Sequence, residues 1–119
     1  MQLILLSAGR GSRLPKELRS KPKSLAKVNN KSIIEHNIKF FNKFHKKFIV
    51  TGYKQKSLVN FAKKYGFKIV HNSKFQKTNM VYSMFLPSRY ITKDVVICYG
   101  DIIFDHKIYN LLKKKENII

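Results

Sequence analysis

The chain predicts an α/β fold built on a mostly parallel sheet. Short β-rich runs such as Leu3-Ile4-Leu5-Leu6, Phe48-Ile49-Val50 and Val95-Val96-Ile97-Cys98 alternate with amphipathic segments, the pattern of strands joined by crossover helices. At 119 residues the chain has the length of one α/β domain. Its 44% apolar and 13% aromatic residues are enough to bury a core, so disorder is not the default.

In order, the sequence reads as a strand over 2–7, a loop to about 31, a helix over 32–46 and a strand over 48–51. A helix over 54–65, a strand over 67–71, a loop over 72–79 and a short helix around 80–86 follow, then a strand over 94–99 and a helix over 105–115. The first helix rests on Ile34, Ile38, Phe41 and His45 along one stripe, and Ser32 with Glu35 fits a capping box at its start. Gly66 ends the second helix. Asp105 reads as the N-cap of the last helix, and Lys115-Glu116-Asn117-Ile118-Ile119 as its end followed by the first residues of another strand. Together these elements predict a Rossmann-like three-layer α/β/α sandwich, with the chain expected to stop mid-domain. There is no internal repeat and no interdomain linker.

The chemistry concentrates behind the first strand, in Ser7-Ala8-Gly9-Arg10-Gly11-Ser12-Arg13-Leu14, with Lys23 nine residues past Leu14. Two glycines flanking one residue let the backbone turn tightly and bring N–H groups close to an anion, while Arg13 and Lys23 add full charges able to hold a polyphosphate. A dinucleotide fingerprint would need a third glycine where Leu14 stands and a carboxylate at the end of the second strand, which instead reads Phe48-Ile49-Val50-Thr51-Gly52. A Walker loop would need Gly-Lys-Ser/Thr where the chain has Gly11-Ser12-Arg13. An ordinary Gly-rich turn is the competing reading of the loop alone. The second cluster, Lys21-Pro22-Lys23-Ser24-Leu25, tips the balance toward phosphate binding.

The segment from Ile4 to Glu35 resembles the signature of the sugar-phosphate and phosphocholine nucleotidyltransferases: a strand, A-G-x-G-[ST]-R-L, a short loop, P-K-x-L, then a helix. Val50-Thr51-Gly52-Tyr53, Thr78-Asn79-Met80-Val81-Tyr82-Ser83-Met84 and Gly100-Asp101 continue the likeness in order, the second of them being similar to the phosphocholine cytidylyltransferase branch. One departure is Pro15, which follows Leu14 directly where the family usually has its loop proline two residues beyond the leucine. The other is length, since such enzymes usually run to about twice this size. The resemblance therefore implies that residues 1–119 are the N-terminal, nucleotide-binding portion of a nucleotidyltransferase, with most of the acceptor pocket and a second metal-binding carboxylate beyond.

In a parallel sheet, ligands sit at the carboxyl ends of the strands. The Gly9 loop, Gly52-Tyr53 and Gly100-Asp101 all fall there. Nucleotidyl transfer needs an electrophilic α-phosphorus, a neutralised pyrophosphate and an acceptor held in line, which Mg²⁺, a cation and backbone amides can provide without a covalent intermediate. Arg13, Lys23 and Asp101 are the candidate catalytic residues, with Arg13 on the departing pyrophosphate, Lys23 nearer the α-phosphate and Asp101 as the Mg²⁺ ligand. A turn-forming Gly-Asp pair is the competing reading of Asp101. Ser7, Ala8, Gly9, Arg10, Gly11, Ser12, Gly52, Tyr53, Asn72, Asn79, Ser83 and Gly100 are the candidate nucleotide-binding residues, with Asn72, Asn79 and Ser83 where a base or ribose would lie. Each of those three polar residues also fits a loop with Asx turns.

The partners implied are a nucleoside triphosphate, CTP favoured on the Thr78 to Met84 likeness, and a small phosphorylated acceptor such as phosphocholine. A sugar-1-phosphate uridylyl- or thymidylyltransferase, and a fragment that binds nucleotide without catalysis, are the alternatives. The net charge of +19 ordinarily points to nucleic acid. Here the lysines are spread over predicted helix faces, at Lys39, Lys43, Lys46 and Lys47 and again at Lys54, Lys56, Lys63 and Lys64, with no concentrated arm, so no specific nucleic acid is expected. A basic nucleic-acid-binding module is the non-enzyme alternative, although the chain lacks the aromatic stacking motifs of single-strand binders on a recognisable fold. Cys98 is the one cysteine and reads as a buried structural thiol. His36, His45, His71 and His106 are too scattered for a zinc site. No apolar stretch approaches membrane-spanning length and no leader precedes the first strand, so the cytoplasm is the expected location; nothing argues against a homo-oligomer.

Overall fold

The computed structural model describes residues 1–8 and 22–114. The predicted Gly9 to Arg13 loop and the strand fragment after Lys115 lie outside the described residues. The strands are β1 (Gln2–Ser7), β2 (Lys27–Val28), β3 (Lys31–Ser32), β4 (Lys47–Thr51), β5 (Lys68–His71) and β6 (Val95–Tyr99). The helices are α1 (Ile33–His36), α2 (Ile38–Phe41), α3 (Val59–Tyr65), α4 (Met80–Phe85) and α5 (Ile108–Lys114).

The main sheet has the order β5-β4-β1-β6 and every neighbouring pair is parallel. All residues of β1 and β4 are buried, because helices cover both faces of these inner strands. Side-chain alternation sorts them into two cores. Leu3, Leu5 and Ile49 join Ile34, Phe40, Phe41, Leu58 and Phe61 from α1 to α3 on one face. Ile4, Leu6, Phe48 and Val50 meet Met84, Leu86 and Ile91 on the other, which completes the expected α/β/α sandwich. β6 is the outer strand beside β1, with Val95, Ile97 and Tyr99 exposed.

Phe40 is the hub of the first core. Its ring meets Phe44 at 5.2 Å between centroids and Phe104 edge-on at 4.8 Å, and Tyr109 of α5 stands edge-on at 6.1 Å. One side chain thereby ties α2 to the loop after β6 and to α5.

Several sequence expectations are corrected. The helix read over 32–46 is two short helices broken at Asn37. The Asn37 N–H donates back to the Ile34 carbonyl at 3.2 Å and its own carbonyl accepts from Phe40 and Phe41, so one residue ends α1 and starts α2. His45 is exposed, and Phe44 takes the inward position instead. The helix read from 54 begins as a 3-10 turn over Gln55–Leu58, because Lys54 is left-handed at φ 49° and cannot enter a helix. The last helix starts at Ile108 rather than 105; Asp105 still acts as a cap-like acceptor, taking the Lys107 N–H at 2.9 Å. Lys47 is a buried β4 residue whose Nζ donates to the Phe41 carbonyl at 3.3 Å, not part of the solvated helix faces; burial lowers its pKa.

Where a plain loop to 31 was expected, β2 and β3 form a small antiparallel hairpin. Its turn residues Asn29 and Asn30 have φ of 51° and 69°, the doubly left-handed geometry that such two-residue turns require and that asparagine tolerates. The capping box at Ser32 and Glu35 is present as expected, and the hydrogen bonds from Ser32 lower the Glu35 pKa. Gly66 closes α3 at φ 75°. Cys98 is buried, and burial pushes its thiol up to about 12, which leaves it no nucleophilic thiolate near neutral pH.

Candidate active site

In sequence order the four main strands run 1, 2, 3 and 4, and in space they run 3-2-1-4, so the chain reverses direction between β1 and β6. At such a reversal the loops leaving adjacent strands part and open a crevice at their carboxyl ends. A cleft of about 260 Å³ opens there, walled by Leu6, Ser7 and Ala8 after β1, by Lys23 and Ser24, by the segment from Asn72 to Ser83, and by Tyr99 and Asp101 after β6.

Two glycines allow these walls to close together. A Cβ on Gly100 would collide with Ser7 Oγ and stand 2.9 Å from the Leu6 carbonyl and 3.0 Å from Ser24 Cβ. A Cβ on Gly52 would stand 2.6 Å from Phe75 Cβ and 2.8 Å from the Ala8 carbonyl. The Gly100 N–H donates to the Leu6 carbonyl at 2.8 Å, and the Tyr53 N–H donates to the Ala8 carbonyl at 3.3 Å. Gly52, Tyr53 and Gly100 thus brace the wall from behind.

Across the cleft, Lys23 Nζ and Asp101 Oδ2 form an ion pair at 3.0 Å. The side chains are 39% and 34% exposed, and a pair that open to water contributes at most about 1 kcal/mol to stability. A partly exposed ammonium and carboxylate therefore face each other at the cleft, open to a ligand. Lys23 is presented by a 3-10 turn over Lys23–Leu25, whose Leu25 N–H returns to the Pro22 carbonyl at 2.9 Å.

The opposite wall is organised by Asn72, which is 2% exposed. Its Nδ2 donates to Thr78 Oγ1 and to Ser83 Oγ, both at 3.0 Å, and its Oδ1 accepts the Lys74 N–H at 2.9 Å in an Asx turn. Asn79 caps α4 by accepting the Tyr82 N–H at 3.2 Å. These bonds commit the Asn72 side chain to holding the loop. Of the wall's hydroxyls, Ser7 Oγ and Ser24 Oγ are buried and, among the described residues, have no hydrogen-bond partner. Such orphaned groups are costly, and they mark polar capacity that a ligand or an ordered water would satisfy.

Of the residues singled out in the sequence, Ser7, Ala8, Lys23, Asn72, Asn79, Ser83 and Asp101 share this one cleft. Gly9, Arg10, Gly11, Ser12 and Arg13 lie outside the described residues. Ser24, Phe75, Thr78 and Tyr99 were missed as wall residues. Ser24 and Thr78 stood inside quoted motifs, so their signal was available; Phe75 and Tyr99 carried none beyond following or ending a strand.

Among the described residues no three His, Cys, Asp or Glu side chains converge on a metal. Asp101 is the acidic side chain in the described wall, and a lone carboxylate suits Mg²⁺, which typically takes one or two carboxylates and completes its shell with phosphate and water. The donor set fits a magnesium carried in largely by a polyphosphate ligand.

Fold and cleft together define an α/β protein with a ligand crevice at the point where its strand order reverses, the arrangement of nucleotide-handling domains. The chain belongs to the MobA-like NTP transferase domain family, whose model matches residues 3–116. It is 33% identical to a CTP:phosphoglutamine cytidylyltransferase of Campylobacter jejuni, over 99% of this chain and 51% of that protein. It is 25% identical to a UTP–glucose-1-phosphate uridylyltransferase of Haloferax volcanii, over 98% of this chain and 49% of that protein. The solved CTP:phosphocholine cytidylyltransferase of Streptococcus pneumoniae superposes with a TM-score of 0.76 at 30% identity, covering 84% of this chain and 44% of that one. The chain spans about half the length of these two relatives. Among the described residues, no helix is long and apolar enough to cross a membrane.

Proposed function

We propose that this chain is the nucleotide-binding portion of a magnesium-dependent nucleotidyltransferase that moves CMP from CTP to a small phosphorylated acceptor such as phosphocholine, in the synthesis of a cell-surface glycan precursor. The observation that carries the reading is the Lys23–Asp101 pair, set in a cleft at the strand reversal and faced by the Asn72 to Ser83 wall. The cytidylyl relatives favour CTP.

In the proposed reaction an acceptor phosphate oxygen attacks the α-phosphorus while the bond to the β-phosphate breaks and pyrophosphate leaves. Lys23, paired with Asp101 in the free protein, is assigned to leave that carboxylate and follow the charge that builds on the α-phosphoryl oxygens. Ser7 and Ser24 offer hydroxyl donors beside it. Arg13 is assigned to the departing pyrophosphate, Gly9 to Ser12 to the phosphates through their amides, and Asn79 and Ser83 to the nucleoside side. Magnesium held at Asp101 would neutralise phosphate charge. No covalent enzyme intermediate is required, in keeping with the raised pKa of Cys98.

A second reading is a sugar-1-phosphate uridylyltransferase, favoured by the likeness to the Haloferax protein. Thermal unfolding with CTP, UTP, ATP or a 20-residue oligonucleotide, with and without Mg²⁺ at physiological salt, separates these. CTP with Mg²⁺ is expected to raise Tm most, and Asp101→Asn to remove the magnesium-dependent part of that rise while leaving the metal-free part. Equal shifts with every nucleotide would defeat the CTP assignment. A larger, salt-sensitive shift with the oligonucleotide would defeat the transferase reading.

A further inference from the structure

We infer that Asn37 is the positioning residue that sets Lys23 and Asp101 against each other, a role that rests on the nucleotide-transfer reading above. Asn37 is completely buried at the break between α1 and α2. Its side chain is spent on one segment: Nδ2 donates to the Ile102 carbonyl at 2.8 Å, while Oδ1 accepts from His106 Nε2 at 3.2 Å and, at a longer 3.5 Å, from the Phe104 N–H. A carbonyl can only accept and an amide N–H only donate, so these partners fix which end of the Asn37 amide is which and place a proton on His106 Nε2. All three lie within five residues after Asp101, in a segment without helix or strand of its own.

The other end of α1 holds the other partner. The Ile33 N–H donates to the Ala26 carbonyl at 2.9 Å, and the Ala26 N–H donates to the Lys23 carbonyl at 3.0 Å. His36 Nε2 stands 2.6 Å from the Val28 carbonyl and fastens the β2–β3 hairpin to the same turn. One helical turn therefore links the 3-10 turn that carries Lys23, at its start, to the irregular segment after Asp101, at its end. Edge-on packing of Phe104 on Phe40 also holds the second loop to the core, and the Asn37 hydrogen bonds add direct ties to the backbone of that loop at Ile102 and Phe104. Among the described residues none of the Asn37 hydrogen bonds reaches a cleft residue, so it acts through the backbone that carries Asp101.

The test uses Asn37→Ala, with Phe61→Leu as a control for lost core packing on α3, remote from the loop hydrogen bonds. In the ligand-free chain, Asn37→Ala should shift the amide resonances of Lys23 and Asp101, and Phe61→Leu should leave both in place. Nucleotide affinity with Mg²⁺ should fall about tenfold in Asn37→Ala, the size of effect seen when a residue orienting a metal ligand is removed, while metal-free affinity stays near wild type. If Asn37→Ala fails to fold, His106→Ala removes one of the three bonds at a half-buried position and should move the same resonances and the magnesium-dependent affinity in the same direction. Unmoved Lys23 and Asp101 resonances, or equal losses with and without Mg²⁺, would overturn the inference. A wild-type chain that binds no nucleotide would instead overturn the functional reading, with the ligand-free resonance shifts still able to support the positioning role.

Discussion

In a chain extended to the length of its relatives, Lys23→Ala is expected to lower kcat by a factor of about 10²–10³, the loss typical of removing one stabiliser of developing charge. Nucleotide KM should change far less, because the charge that Lys23 is assigned to meet appears mainly in the transition state. Stability should barely move, since the ion pair with Asp101 is open to solvent and contributes at most about 1 kcal/mol. Steady-state pyrophosphate release, read beside Tm, checks all three. An unchanged kcat, or a loss that merely follows Tm, would remove Lys23 from the chemistry. Arg13→Ala is the companion case: a residue gripping phosphates in ground and transition states alike should raise KM more than it lowers kcat.

The largest effect on stability is expected from Phe40→Ala, about 3–5 kcal/mol by the usual cost of deleting a buried aromatic ring. That is a large share of the roughly 5–15 kcal/mol that holds a domain folded. The reason is where the ring sits: it meets Phe44, Phe104 and Tyr109 at centroid distances of 5.2, 4.8 and 6.1 Å, so its loss opens a void shared by α2, α5 and the loop after Asp101. Urea unfolding at constant m measures it. A cost under about 1.5 kcal/mol would mean that the three neighbours collapse into the gap and that Phe40 is not the hub.

The sheet was legible because its strands announce themselves. Leu3 to Leu6 and Phe48 to Val50 are short apolar runs bounded by polar or turn residues, and both became inner parallel strands. Gly66 and the Ser32–Glu35 box were read correctly because their chemistry is local. What failed depended on distant partners. Nothing between Ser32 and Lys46 announces a helix break, since Asn37 ends α1 while its side chain satisfies Ile102, Phe104 and His106, more than sixty residues away in the chain. Lys47 looked like one more surface lysine until its ammonium found the Phe41 carbonyl inside. Asn29-Asn30 offered a hairpin signal, but strands two residues long show no periodicity to support it.

The cleft followed the same division. Gly52, Gly100 and Asp101 were found by their position at strand ends, and Lys23 by its spacing from the Gly-rich loop. The contribution of Asn72 to its own wall, through Thr78 and Ser83, became visible only once the loop closed. Ser7 was singled out with the Gly-rich loop and Ser24 was not, and what the fold adds is that both hydroxyls are buried without a hydrogen-bond partner among the described residues.

A nucleoside triphosphate is expected to bind at the reversal between β1 and β6. Amide chemical-shift mapping of this chain during titration with CTP and Mg²⁺, at physiological salt, tests it most directly. Perturbations are expected to gather on Ser7, Ala8, Lys23, Ser24, Ser83, Gly100 and Asp101, saturating with one nucleotide per chain. Shifts scattered over the exposed lysines at Lys39, Lys43, Lys63 and Lys64, and erased by added salt, would contradict it.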